Sequence, residues 1–387
     1  MDWLFNVCLF VSLAGDSAIL LSQNISQDEG RDQKRQSHLA RTGSPDTRAE
    51  TQKSFSQNLK SIESLNAEAL AYQDKGQYSQ AEPLFLQALT LCEQYQEPDQ
   101  PLIPVTTLNN LSRLYYDQGR YPDMEPLLRR ALTLGEKAPG KRACSGCGHP
   151  GQWAYLYVAQ GHYEKAQPLL LRGLRIREKN LGPDHPDVAT SLSNWGNLLF
   201  WQGKYAEAEK LQRRALLIRQ KTLGPSHHDL AFSMNRLGQV CQLQGRISDA
   251  ESWYRQAMLV LQKTVGTEHS EMAVVLINLA GLCLRQHRYD ESQTLYQQAL
   301  MISGNSLGSD HPVTAACLEN LAELYSKQQR YLEAEPLYQE ALAIQDKSLP
   351  SDHPDLAETL RNYAALLRKT SENPSYRSGC SRQKHHG

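Results

Sequence analysis

The sequence predicts an all-α fold: a right-handed α-solenoid of about seven antiparallel helix pairs, closed by a C-terminal capping helix. Three observations predict it. A Gly/Gln-x-Tyr type of anchor returns at Tyr78, Tyr121, Tyr163, Tyr205, Ile247, Tyr289 and Tyr331, spaced 43 residues at the first step and 42 at every later one. A fixed period of this size marks stacked supersecondary units rather than independent domains. Small residues recur in register with the anchor, as Ala69, Ser112, Ala154, Gly196, Gly238, Ala280 and Ala322 before it and as Ala88, Ala131, Gly173, Ala215, Ala257, Ala299 and Ala341 after it. They fall where two helices must approach closely. Large apolar residues step by three and four between them, with Leu318, Leu321, Ala322 and Tyr325 on one face and Ala334, Leu337, Tyr338, Ala341 and Leu342 on another. That is the helical period.

Residues 1–53 are expected to lie outside the solenoid. Trp3 to Gly15 is an apolar run ended by Asp16, and Ser12-Leu13-Ala14 resembles a small-residue cleavage site. Only Asp2 precedes the run as a side-chain charge, whereas a signal peptide has a positive n-region. The run is also shorter than the ~20 residues that span a bilayer. Residues 23–53 are rich in Ser, Gln, Asp and Arg. They hold too little apolar surface to offset the cost of ordering and read as a flexible polar tail.

The solenoid is expected over residues 54–370. In one unit a first helix runs from Pro186 to Gln202, a turn follows at Gly203-Lys204, and a second helix runs from Tyr205 to Leu223. Gly224-Pro225 then stops it, as a glycine past the helix end followed by proline does. First helices open on Pro-Asp at Pro186-Asp187 and Pro354-Asp355. Proline fits there because its missing N–H would be unpaired, and the aspartate suits the positive helix end. Pro354 to Lys369 is a first helix without a second, and its outward Glu358, Arg361, Arg368 and Lys369 are polar, as a terminal repeat requires. Residues 371–387 read as a basic, disordered tail.

Residues 141–152 lose the repeat pattern, yet the anchor spacing across them stays at 42. Read one base over, the segment becomes E-H-A-V-A-V-A-T-L-A-N, which restores the loop histidine and the Leu192 and Asn194 columns. A compensated frameshift, a divergent natural repeat, and a metal or redox motif built on Cys144-x-x-Cys147 and His149 are the three readings. The last lacks a second Cys or His pair at finger spacing.

These columns resemble the tetratricopeptide pattern W-x2-L-G-x2-Y, A-x3-F, A, here in units of 42 rather than 34 residues. The loop Leu-Gly-Pro-Asp-His-Pro-Asp-Val-Ala at residues 181–189, and its relatives from 223, 265, 307 and 349, are similar to the long-repeat branch that includes kinesin light chains and the nephrocystin family. The resemblance spans about residues 57–370. It implies the fold closely and the function loosely, because the repeat serves many scaffolds.

Little else carries chemistry. The loop histidines His185, His227, His269, His311 and His353 sit at equivalent places on stacked units, further apart than one interhelical distance of ~8–10 Å. They cannot share one ion, so they read as capping and turn residues, and no metal or cofactor is expected. Cys241 and Cys283 occupy the column of Tyr325 and read as core. No phosphate loop or nucleophile elbow occurs, and Glu333 and Glu335 lie on a helix surface, so the chain is not expected to be an enzyme. With 41 basic and 42 acidic residues, nothing suggests a nucleic-acid partner. The eight cysteines show no disulfide rhythm, which points to a reducing, cytoplasmic setting; secretion or a periplasmic location would need the apolar start to be a signal peptide. Neither membrane insertion nor a small-molecule ligand is expected.

What remains is a surface. A superhelix of this kind has a concave wall built mainly from first helices. One column there reads Asn110, Asn194, Arg236, Asn278, Asn320 and Asn362. Each asparagine offers two donors and an acceptor, so the ladder can hold the backbone of an extended peptide; it can equally tie neighbouring helices together. The resemblance to kinesin light chains implies the first role. Helical spacing adds Arg113, Tyr116, Asn197, Phe200, Trp201, Gln239, Gln242, Arg285 and Lys327 as groove residues. This wall is aromatic and polar rather than strongly basic, which argues against an acidic cargo, and the heptads that would join a kinesin heavy chain are missing. The expected function is a scaffold or adaptor for protein or peptide partners. The alternatives are a regulatory arm or fragment of a larger signalling protein and a secreted or periplasmic assembly factor.

The frameshift reading is checked at the nucleotide level. Close copies of the gene should restore the E-H and L-x-N strings across residues 141–152. Copies that keep Cys144 and Cys147 in one uninterrupted frame would make the segment a natural variant.

Overall fold

The computed structural model describes residues 45–94, 102–136, 150–159, 162–349, 351 and 353–372. Among them are fifteen α-helices and no strand. In chain order they are α1 (Pro45–Asp74), α2 (Tyr78–Gln94), α3 (Leu102–Asp117), α4 (Tyr121–Glu136), α5 (Pro150–Ala159), α6 (Tyr163–Leu181), α7 (Pro186–Trp201), α8 (Tyr205–Leu223), α9 (Asp229–Leu243), α10 (Ile247–Thr264), α11 (Ser270–Arg285), α12 (Tyr289–Ser306), α13 (Pro312–Lys327), α14 (Tyr331–Ser348) and α15 (Pro354–Glu372). They form seven pairs, α1–α2 through α13–α14, and the unpaired α15. The chain divides into two compact units, one ending at Thr222 and the other running from Leu223. Within each, helices stack on their neighbours in sequence as an all-α solenoid.

The apolar start, the segment 141–149 and the basic tail beyond Glu372 lie outside the described residues. The polar tail was expected to reach residue 53, but α1 already begins at Pro45. Pro45-Asp46 is the same opening dipeptide as Pro186-Asp187. Ala49, Glu50, Gln52 and Lys53 are good helix formers, so helix propensity accounts for the earlier start.

The turns inside pairs follow from one backbone requirement. Gly203 and Gly245 take φ of 75° and 76°, a left-handed conformation that costs other residues about 1–2 kcal/mol. In the two later pairs the same place holds His287 and Gln329, with φ of 59° and 61°. The helix continues cooperatively on both sides, so the strain is tolerated.

Each pair closes over a dry contact. In the unit ending at Thr222, Val188, Ala189 and Leu192 of α7 pack with Ala215 and Ile218 of α8. In the other unit, Ala315 and Leu318 of α13 pack with Ala341 and Ile344 of α14. The contact of α9 with α10 is especially tight at one glycine. A Cβ on Gly238 would lie 2.5 Å from Cε1 of Tyr254. That ring is fully buried and is fixed by its hydroxyl, which donates to Gln242 Oε1 at 3.0 Å. One repeat later the small residue is Ala280. There the corresponding Tyr296 hydroxyl donates instead to Asn320 Oδ1 of the following first helix, at 3.3 Å, so the two rings are anchored at different places.

Gly238→Ala should therefore destabilise the protein by about 1–3 kcal/mol, the usual cost of overpacking a tight core. Gly196→Ala, whose new methyl would lie 2.9 Å from Gln212 Nε2 and meet a side chain rather than a fixed ring, should cost less. Denaturant melts of the two variants check the order.

Candidate peptide-binding face

The first helices of the pairs carry the candidate residues. In the unit ending at Thr222, Asn110 is buried on α3, and its Nδ2 donates to Asn66 Oδ1 of α1 at 3.3 Å. Asn66 in turn donates to Thr107 Oγ1 at 3.0 Å. Gln152 on α5 occupies the ladder column of the divergent repeat and donates to the Asn109 carbonyl at 2.9 Å. Asn194 on α7 is half-buried.

The unit from Leu223 repeats this arrangement. Asn278 of α11 donates to Asn235 Oδ1 of α9 at 2.9 Å. Asn362 of α15 donates to Glu319 Oε1 of α13 at 3.2 Å. Asn320 donates to the Ala316 carbonyl at 2.7 Å and accepts from Tyr296. Arg236 replaces asparagine in this column. It is buried, donates to Gln239 Oε1 at 3.1 Å and lies over the Phe232 ring. Asn110, Asn278, Asn362 and Gln152 thus reach back to the residue one place earlier in the preceding repeat, Gln152 to its carbonyl. That acceptor column of Asn66, Asn109, Asn235 and Glu319 was missed in the sequence, although the Asn109-Asn110 and Glu319-Asn320 doublets mark it.

The remaining candidates divide into buried and accessible groups. Arg113 is buried, 3.8 Å from Asp74 and 4.0 Å from Asp117. Burial raises the Asp117 carboxyl to about 6, against the pull of Arg113 and of Gln73, which donates to it at 2.6 Å. Tyr116 is buried beside Tyr121. Gln239 and Gln242 are buried, the latter holding Tyr254. Phe200 is buried between the rings of Trp201 and Tyr205, while Trp201 is half-exposed. Asn197 accepts from Gln212 at 3.1 Å, and its own Nδ2 is buried and donates to nothing in the protein. Asn109 Oδ1 is likewise buried without a donor. Arg285 and Lys327 are exposed, Lys327 lying 3.2 Å from Glu323.

Repeats are joined a second time at the turn edge. Arg120 bonds Asp123 in its own repeat and Glu82 in the one before. Arg288 does the same with Glu291 and Glu251, and Arg330 with Glu333 and Gln293. These pairs are partly solvated, so each adds little alone. They carry register rather than bulk stability.

The loop histidines open the first helices. Nδ1 of His185, His227, His269, His311 and His353 accepts the backbone N–H two residues on, at distances between 3.1 and 3.4 Å. An acceptor Nδ1 places the ring proton on Nε2 and requires the neutral imidazole. No described helix is long and apolar enough to cross a membrane. The four described cysteines, Cys92, Cys241, Cys283 and Cys317, are buried and form no disulfide with one another, and burial raises the Cys283 and Cys317 thiols to about 11 and about 12.

Two family profiles, both described as Tetratricopeptide repeat, match this chain, one at residues 61–137, 187–263, 271–347 and 320–374 and the other at 154–187. Similar solved structures include kinesin light chain TPR-like repeats from Podosopora anserina, with 26% identity over 51% of this chain and 93% of that one, at a TM-score of 0.43. BtubC from P. vanneervenii shares 21% identity over 67% of this chain and 95% of its own, at 0.45. The apo form of RapI shares 16% over 74% and 98%, at 0.51, a likeness of fold. No curated protein matches.

The cap has a pH signature. Burial lowers the His311 pKa from 6.5 to about 4. A depressed value means that stability is fully present above 6.5 and is lost as pH falls toward 4. The loss should approach ~3 kcal/mol at about 1.4 kcal/mol per unit. His311→Asn keeps a good cap and should flatten this slope in melts taken from pH 7 to pH 4.

Proposed function

Because the chain belongs to the tetratricopeptide repeat family, whose fold is a scaffold for protein–protein interaction, we propose that it binds extended segments of partner proteins along the faces of its first helices. The carrying observation is a set of polar side-chain atoms left over on the first helices, Asn197 Nδ2 and Asn109 Oδ1 among them. Asn197 Nδ2 and Asn109 Oδ1 are shielded from water and bonded to nothing in the protein. Buried polar atoms are nearly always paired in native structures, and an extended backbone offers both a carbonyl for the first and an N–H for the second. The half-exposed Trp201, backed by Phe200, supplies the aromatic contact typical of a binding hot spot. On this reading Asn110 positions repeats within one unit, and Asn278, Asn320 and Asn362 position those of the other, where Arg285 and Lys327 lie exposed. A reducing, cytoplasmic setting fits cysteines that are buried and, among the described residues, in no disulfide.

Peptides selected from a random library against the purified chain, then measured by fluorescence polarisation, test this. Trp201→Ala should weaken binding by at least ~2 kcal/mol and Asn197→Ala by ~1–2 kcal/mol, with melting temperature held. Asn278→Ala, which breaks the bond to Asn235, should instead lower stability by about 1–2 kcal/mol. Selected peptides that bind all three variants normally would move the site off the first helices.

A further inference from the structure

We propose that the loop opening α9, together with the first turn of α11, forms a binding site for a divalent transition ion of the zinc type. Here the repeat departs from its siblings. Four of the five loops follow their histidine with Pro186, Ser270, Pro312 or Pro354, but this one reads His227-His228-Asp229. One ligand atom from each of these three residues lies within 4.8 Å of the others. The next repeat adds a fourth group. His228 Nδ1 is 3.4 Å from Asp229 Oδ1 and 3.8 Å from Glu271 Oε2.

The spacing fits an ion better than it fits the protein's own bonds. Ligands at ~2.0–2.1 Å from a tetrahedral ion stand ~3.3 Å apart, close to the first of these distances and a small side-chain rotation from the second. Neither His228 Nδ1 nor Glu271 Oε2 makes a hydrogen bond, although both atoms are shielded from solvent. The His227 and His228 rings stack, with centroids 4.6 Å apart, which holds two imidazoles on one side of the cluster. His227 Nδ1 accepts the Asp229 N–H; to ligate through Nε2 the ring gives up that bond and moves its proton to Nδ1. Imidazole and carboxylate together suit zinc and its first-row neighbours. Ligands at equivalent loop positions could not share an ion. These come from unequal positions of consecutive loops, and the long Glu271 side chain closes the gap. A bound ion would clamp the starts of α9 and α11, two of the helices that carry the proposed binding face.

A rival account makes protonated His228 an ion-pair partner of Glu271, and metal titration separates the two. The full chain carrying C144S, C147S, H385A and H386A, which removes other candidate ligands, is stripped with chelator and titrated with Co²⁺ and Zn²⁺. The proposal expects one ion per chain. The Co²⁺ complex should show visible d–d bands without a thiolate charge-transfer band, and Zn²⁺ should raise the melting temperature. His228→Pro, which installs the residue that three sibling loops carry, and Glu271→Gln should each weaken binding at least ~10-fold and abolish the melting shift. Absence of stoichiometric binding, or binding unchanged in either variant, overturns the site. Peptide binding is measured separately, so failure here leaves the scaffold reading untouched.

Discussion

The ring of Tyr254 lies where a side chain on Gly238 would have to be, and contacts of this kind set the terms for the rest of the molecule. Two helices that approach this closely bury one face of each and leave the opposite faces apolar. A lone pair cannot cover those faces, so the unit is stable only when stacked. Stacking fixes the register, because a shift of one residue would bring a larger side chain against the ring. The strict 42-residue spacing of the later anchors is the sequence record of that constraint.

Stacking by apolar contact alone is tolerant of small slips, and the polar ties remove that tolerance. Asn278 to Asn235 and Asn362 to Glu319 join successive first helices, while Arg288 to Glu251 joins successive second-helix starts. The two sets sit at different places along the helices, so they resist rotation as well as sliding. Glu319 shows what this arrangement costs. Its carboxyl is buried and raised to about 8, against the hydrogen bonds it accepts. An acid with a raised pKa favours the fold below its unfolded value near 4.5 and withdraws that support as pH rises toward 8. The fold is thus firmest with the acid protonated, although the hydrogen bond from Asn362 itself favours the carboxylate.

Much of this was legible in the sequence because backbone rules act locally. Glycine at the turn, proline at the first helical position and histidine at the cap are each read within a few residues, and α7 and α8 fall where those signals put them. The start of α1 at Pro45 was missed because low apolar content was weighed above helix propensity. Side-chain partners were harder to see. Asn110 and Asn66 are 44 residues apart, and nothing near Asn110 reveals that an acceptor waits there. Arg113 has the right helical position for a groove residue, yet its charge is spent between Asp74 and Asp117. Position on a helix face was readable; which atoms remain free on that face depended on the neighbouring repeat.

The same division explains where individuality resides in a repeated chain. Residues that serve the stack must recur, and so carry no message about one protein's partners. The cap histidine is such a residue, since five loops use it as the acceptor for the same backbone N–H. The residue after it is not, because proline or serine begins the helix in four loops and His228 stands just before it in the fifth. His228 and its neighbour Glu271 are departures at positions the stack leaves open, and they meet. Trp201 and Arg236 are departures of the same sort on the first-helix faces. A repeat fold tolerates change only where neither the small-residue contact nor the inter-repeat tie is touched, so these positions, rather than the most regular ones, are where binding chemistry can accumulate.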